Sequence, residues 1–131
     1  MNLENKVVVI SGGASGLGLA TARYLVKKKK AKVALLDMNR EAGLSAVEEL
    51  GDENAIFIAT DVTEENDVDA AISATIQKFG AIHVDINAAG IVAPKKILDK
   101  NGIAGSINNF RNNFRILSFI WGKVWRCKIS G

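Results

Sequence analysis

Ser11-Gly12-Gly13-Ala14-Ser15-Gly16-Leu17-Gly18 is the stretch of sequence that decides the fold. It follows an apolar run at residues 7–10 and leads into an amphipathic segment that contains Ala22 and Leu25. A strand, a glycine turn and a helix in this order favour a phosphate site, because glycines let the backbone turn tightly and approach a ligand. The start of the helix then offers free N–H groups and the positive end of its dipole to an anion.

Short apolar segments alternate with amphipathic ones up to residue 90. They predict strands over residues 6–10, 32–37, 55–60 and 82–87, and helices over residues 15–29, 41–50 and 63–79. We expect Thr63 to cap the third helix and Gly80 to end it, while Gly51 ends the second. The alternation predicts an α/β chain with a partial Rossmann (doubly wound) fold. Right-handed crossovers favour a parallel sheet of about four strands in the order 3-2-1-4 with helices on both faces.

Polar residues stand where three of these strands end. Asp37 ends the second strand about 20 residues after the glycines, Asp61 follows the third, and Asn87-Ala88-Ala89-Gly90 ends the fourth. Ligands of open α/β sheets bind at the carboxyl ends of the strands, where a carboxylate can accept ribose hydroxyls. The glycine turn and these strand ends are therefore expected to form one site.

Together these motifs resemble those of the short-chain dehydrogenase/reductase family. Its T-G-x-x-x-G-x-G motif appears as residues 11–18 and its N-N-A-G motif as residues 87–90. The resemblance covers residues 6–91 well and residues 92–111 loosely. Within the family, the sequence is most similar to dehydrogenases of 3-hydroxyacyl-CoA and hydroxysteroids.

The resemblance implies NAD as the cofactor. Asp37 would bind the adenosine ribose and repel the 2′-phosphate of NADP, a preference that Arg40 would weaken if it did not face solvent. Asp61 and Val62 would frame the adenine, with the Asp61 carboxylate accepting a hydrogen bond from its amino group. The full set of implied cofactor-binding residues is Ser11, Gly12, Ser15, Gly16, Leu17, Gly18, Asp37, Asp61, Val62, Asn87, Ala88, Ala89 and Gly90.

The family's catalytic serine and Tyr-x-x-x-Lys pair are not matched. The one tyrosine, Tyr24, precedes Lys28 by four residues, but it lies in the helix that follows the glycine turn, and we assign it to the helix surface. We therefore expect the NAD-binding half of an NAD-dependent oxidoreductase, inactive as this chain alone, with an acyl-CoA or steroid substrate only in a full-length relative. The alternative is a non-catalytic dinucleotide-binding or interaction protein that uses its basic tail.

The fourth strand departs from the family pattern. His83 stands where the family has aspartate, and Asp85 stands at an apolar position on the same face. A lone buried carboxylate costs several kcal/mol. We therefore predict either a His83–Asp85 pair or a locally perturbed sheet, and no metal or catalytic role for His83.

The charge of the chain changes along its length. Residues 1–90 have a net charge of −4 and residues 91–131 one of +7, with both tryptophans and Cys127, the only cysteine, in the second part. We assign residues 1–111 to the NAD-binding half and residues 112–131 to an atypical basic and aromatic tail of frame-shifted, spliced or truncated origin. Neither pattern nor composition decides whether residues 116–121 form helix or strand.

Partners and compartment follow from the same features. No nucleic-acid motif accompanies the basic charge, no apolar run is long enough for a membrane, and the lone cysteine fits a reducing compartment. The first residues lack the features of a targeting peptide. We expect an intracellular protein, in the mitochondrial matrix by resemblance or in the cytoplasm. The family forms homo-oligomers, which is doubtful for this chain because the family's contacts use later helices.

Overall fold

Four short apolar segments form a parallel sheet that carries the rest of the fold. The computed structural model describes residues 2–88, and the predictions for Ala89, Gly90 and residues 91–131 lie outside them. The elements are β1 (Val7–Ser11), α1 (Gly16–Lys29), β2 (Lys32–Asp37), α2 (Arg40–Leu50), β3 (Ala55–Ala59), α3 (Glu65–Phe79) and β4 (Val84–Asn87). The strand order is β3-β2-β1-β4, and every neighbouring pair is parallel, which confirms the predicted topology.

The two faces of the sheet carry separate cores. Val8 and Ile10 of β1 and Val33 of β2 pack with Ala22 of α1 and Ala46 of α2 on one face. On the other face, Val9, Ala34 and Leu36 pack against Ala71 of α3. Strands that are covered on both sides need apolar residues at successive positions, which is why β1 and β2 show unbroken apolar runs. Helices on both faces are therefore confirmed.

The helix ends match the predictions in part. Gly80 adopts a left-handed conformation with φ 84° and ends α3 as predicted, and Asn39 caps α2 through a bond from the Ala42 N–H. The assignment of Thr63 as the cap of α3 is wrong, since the helix begins at Glu65 with Glu64 at the cap position. The cause is local: the Thr63 hydroxyl donates to the Asp61 carboxylate and is not directed at the helix amides.

Within the described residues, each helix is too short or too polar to span a bilayer.

Candidate functional site

The glycine turn joins the carboxyl end of β1 to the start of α1. Gly12 and Gly16 have φ values of 71° and 55°, a region that side chains with a Cβ rarely adopt. A Cβ on Gly18 would overlap the carbonyl oxygen of Gly12, so the first turn of α1 lies directly against the loop. A Cβ on Gly16 would meet no atom of residues 2–88 within 4 Å. The turn is thus closed on its inner side and open where a ligand would approach.

The start of α1 leaves its backbone amides available. Ser15 occupies the N-cap position with extended backbone, yet its side chain makes no capping bond, and the first turn holds no acidic residue. Uncapped amides at a helix start, together with the helix dipole, favour an anion. Ser15, Gly16 and Leu17 are exposed, so the amides of this turn are accessible to a phosphate group.

Asp37 lies at the end of β2 and faces the glycine turn. Its Oδ2 accepts a hydrogen bond from the Ala14 N–H at 3.2 Å, and its Oδ1 accepts one from the Asn39 N–H at 3.1 Å. Each carboxylate oxygen can accept further bonds, because an ionised carboxylate offers about four lone-pair sites. The neighbouring Arg40 is exposed, as expected from the sequence. The structure thus joins the turn and the acid that sequence analysis placed in one site.

Asp61 follows β3 at the same edge of the sheet. Its Oδ1 accepts bonds from the hydroxyl and the amide of Thr63, at 2.6 and 2.9 Å. Both bonds lower the pKa of the Asp61 carboxyl, and the bond from the Thr63 hydroxyl has the larger effect. The neighbouring residue ties this loop to the end of β2, since the Thr60 N–H donates to the Asp37 carbonyl at 2.9 Å. The partly buried side chain of Val62 packs against Val68 and Ile72.

β4 completes the edge beside the glycine turn. The Ser11 hydroxyl donates to Asn87 Oδ1 at 2.8 Å, and the Ala88 N–H donates to the Ser11 carbonyl at 2.9 Å. Ser11 is fully buried and belongs to β1, one residue beyond the predicted strand end. These bonds fix the end of β4 against the start of the turn.

The predicted His83–Asp85 hydrogen bond is not formed. His83 Nδ1 accepts a bond from the Val7 N–H at 3.0 Å, and β4 begins at Val84, two residues later than predicted. Both Asp85 carboxyl oxygens are buried and have no hydrogen-bond partner among residues 2–88. Burial raises the pKa of Asp85 to about 6. The pairing of β4 with β1 is regular from Val84 to Asn87, so the locally perturbed sheet, our other expectation, is not observed in these residues either.

Tyr24 lies away from the strand ends. It is 53 % exposed on α1, and the ammonium of Lys29 lies 5.8 Å from the centroid of its ring. This position confirms its assignment to the helix surface. Among residues 2–88 no group of three or more acids, histidines or cysteines is arranged to hold a metal ion.

Asp67 contacts the candidate site through Asp61, and sequence reasoning missed it. Its Oδ2 accepts a hydrogen bond from the Asp61 N–H at 2.9 Å, across six residues. The available signal was an acid in the first turn of a helix shortly after a strand-end aspartate. Acids in that position are common for dipole reasons alone, so the pattern did not single it out.

The sheet order, the glycine turn and the acid at the end of β2 define the first half of a doubly wound nucleotide-binding fold. The chain belongs to the short-chain dehydrogenase family, whose model matches residues 6–112.

Two curated relatives show how far the similarity extends. The chain is 40% identical to 3-hydroxyacyl-CoA dehydrogenase type-2 of Homo sapiens over 111 residues, which are 84% of this chain and 42% of that protein. It is 45% identical to momilactone A synthase of Oryza sativa subsp. japonica over 92 residues, which are 70% of this chain and 33% of that protein. The chain therefore spans less than half the length of these relatives.

A solved structure shows the same fold. The 3-ketoacyl-(acyl-carrier-protein) reductase from Brucella melitensis, crystallised with NADH, matches with a TM-score of 0.75 at 30% identity. The match covers 92% of this chain and 49% of that one.

Proposed function

We propose that this chain binds NAD at the carboxyl edge of its sheet, as the cofactor half of an oxidoreductase that acts on secondary alcohols. The single observation that carries the proposal is the Asp37 carboxylate, held 3.2 Å from the Ala14 amide of the glycine turn. One acid thereby lies beside the loop that would hold the pyrophosphate. The NADH complex of the Brucella melitensis reductase and the resemblance to hydroxyacyl-CoA dehydrogenases support this choice.

The residues of the edge fit a dinucleotide. Gly16 leaves open space, Gly18 lets α1 approach the turn, and the uncapped amides of α1 offer donors to phosphate oxygens. When bound, NAD supplies the acceptor for a hydride from the alcohol carbon. The chain's own residues bind and orient it.

Asp37 favours NAD over NADP for an electrostatic reason. A carboxylate accepts hydrogen bonds from ribose hydroxyls, whereas a 2′-phosphate at the same place brings two negative groups together. Arg40 is exposed, and its side chain makes no ion pair within residues 2–88. Within residues 2–88 no ion pair therefore holds the Arg40 guanidinium in a fixed position beside Asp37.

Proton transfer to or from a substrate is assigned to none of residues 2–88. We propose a 3-hydroxyacyl-CoA or a hydroxysteroid as the substrate of the whole protein, on the strength of the resemblance alone.

Replacing Asp37 with alanine tests the proposal. Loss of hydrogen bonds to a charged acceptor should weaken NAD binding about tenfold to hundredfold. The difference between the affinities for NAD and NADP should become smaller. Calorimetric titration of both dinucleotides into both proteins measures this. Glu41→Ala is the matched control, because it removes an exposed carboxylate from the first turn of α2. Equal NAD affinity for the original chain and Asp37→Ala would exclude Asp37 from the site.

A further inference from the structure

Asp67 reaches back from the first turn of α3 to the end of β3. Its Oδ2 accepts the Asp61 N–H at 2.9 Å in a partly buried position. Glu64 and Glu65 are exposed nearby, whereas Asp67 is half-buried. The side chain of Asp67 thus holds the backbone of a residue at the proposed nucleotide edge.

The other polar groups of Asp61 are nearly all engaged. Its carbonyl accepts the Glu64 N–H at 3.0 Å, and its Oδ1 accepts both the amide and the hydroxyl of Thr63. Together with the bond to Asp67, these contacts fix the backbone and the side chain of Asp61. Within the described residues, Oδ2 of Asp61 is the one polar atom of this residue with no hydrogen bond.

A fixed carboxylate binds better than a mobile one. An exposed aspartate ordinarily samples several rotamers, and ordering it on binding costs free energy. In this structure the hydrogen bonds of Asp67 and Thr63 already order Asp61 before a ligand binds. The Thr60 N–H also donates to the carbonyl of Asp37 at 2.9 Å, which ties this loop to the end of β2.

We propose that Asp67 is a positioning residue, which holds Asp61 so that its free carboxylate oxygen accepts a hydrogen bond from the exocyclic amino group of adenine. The inference rests on the proposed binding of NAD. The inference assigns to Asp67, which lies outside the strand ends, a part in distinguishing adenine from other bases.

The test compares NAD with nicotinamide hypoxanthine dinucleotide, in which a carbonyl oxygen replaces the amino group. A carboxylate can accept a bond from the amino group and is repelled by the carbonyl. We expect the original chain to bind NAD more tightly. Asp67→Ala should weaken NAD binding about fivefold and leave the hypoxanthine analogue nearly unchanged, so that the ratio of the two affinities falls.

Two further variants sharpen the test. Asp67→Asn keeps an oxygen acceptor and should retain most of the preference for adenine. Glu65→Ala removes an exposed carboxylate from the same helix turn and should leave the affinity ratio unchanged. Both dinucleotides are titrated into one preparation of each variant, so the ratio does not depend on the folded fraction.

The outcomes separate the two proposals. An Asp67→Ala protein that binds both dinucleotides as the original chain does, or that loses affinity for both equally, overturns the role of Asp67. An original chain that binds neither dinucleotide refutes the proposed function and the role of Asp67 with it.

Discussion

Replacing Asp85 with valine is expected to raise the free energy of unfolding by about 2 kcal/mol at pH 7. Asp85 is in register with Val9 of β1, a residue whose neighbours on that face are apolar. Both carboxyl oxygens of Asp85 are buried, and the described part of the chain offers them no hydrogen-bond partner. Ionisation in that place is uncompensated, and valine suits a strand position flanked by Val84 and Ile86.

The cost of ionising the buried Asp85 carboxyl should also appear in the pH dependence of the free energy of unfolding. Burial raises the pKa of Asp85 from an ordinary 3.8 to about 6, so the folded chain keeps a proton that the unfolded chain has lost. The contribution of Asp85 to the free energy of unfolding is therefore fully present below pH 3.8, the pKa of the unfolded chain. This contribution falls by about 3 kcal/mol as the pH rises through the folded pKa of about 6.

Chemical denaturation at several pH values measures both effects. Asp85→Val should remove this component of the pH dependence, and Asp85→Asn should do so while leaving a buried polar group without a partner. Glu48→Gln is the control, since Glu48 is exposed on α2. If Glu48→Gln alters the profile as much as Asp85→Val does, or if the valine variant is no more stable at pH 7, the buried charge is not the cause.

Replacing Gly18 with alanine is expected to destabilise the chain by about 3 kcal/mol and to abolish dinucleotide binding. A Cβ at this position would overlap the carbonyl oxygen of Gly12 and would lie 2.8 Å from its carbonyl carbon and 3.1 Å from the Gly13 Cα. All three atoms belong to the backbone of the turn, so no side-chain rotation can relieve the overlap. Either α1 moves away from the loop or the loop changes shape.

The expected loss of stability on Gly18→Ala is opposite to the gain that helix propensity alone predicts. Gly18 lies within α1, where alanine ordinarily stabilises a helix by up to about 1 kcal/mol relative to glycine. Gly80→Ala is the control: it places a Cβ in open space at φ 84°, far from the turn, and costs conformational strain alone. Thermal unfolding and NAD titration of both variants measure the result. A Gly18→Ala protein that is more stable and still binds NAD would contradict the close packing of α1 on the turn.

The sequence predicted the parts of the structure that depend on local pattern. Apolar runs and turn residues located the strands, and the chain spacing between Gly12 and Asp37 placed an acid beside the glycine turn. Right-handed crossovers then left one favoured order for the four strands, which the sheet has.

The errors arose where two local bonds compete or where tertiary contacts decide. Thr63 has the chemistry of a helix cap, but the nearby Asp61 carboxylate takes its hydroxyl. The sequence places His83 and Asp85 on one strand face, yet the imidazole accepts a hydrogen bond from the Val7 N–H of the adjacent strand. The Asp85 carboxyl oxygens have no hydrogen-bond partner within residues 2–88. The bond from Asp61 to Asp67 spans a loop whose path the sequence pattern does not specify. The assignments for residues 89–131 stay predictions.

The measurement that tests the central claim most directly is an NAD titration of the ¹⁵N-labelled chain followed through its backbone amide signals. Binding at the carboxyl edge predicts saturable shifts that are largest at the amides of Gly12 to Gly18 and of residues 37 and 61. The amides of Lys30 to Lys32, at the opposite end of the sheet, should not move. Shifts that are absent, that do not saturate, or that centre on the opposite end would contradict the assignment of this edge as the dinucleotide site.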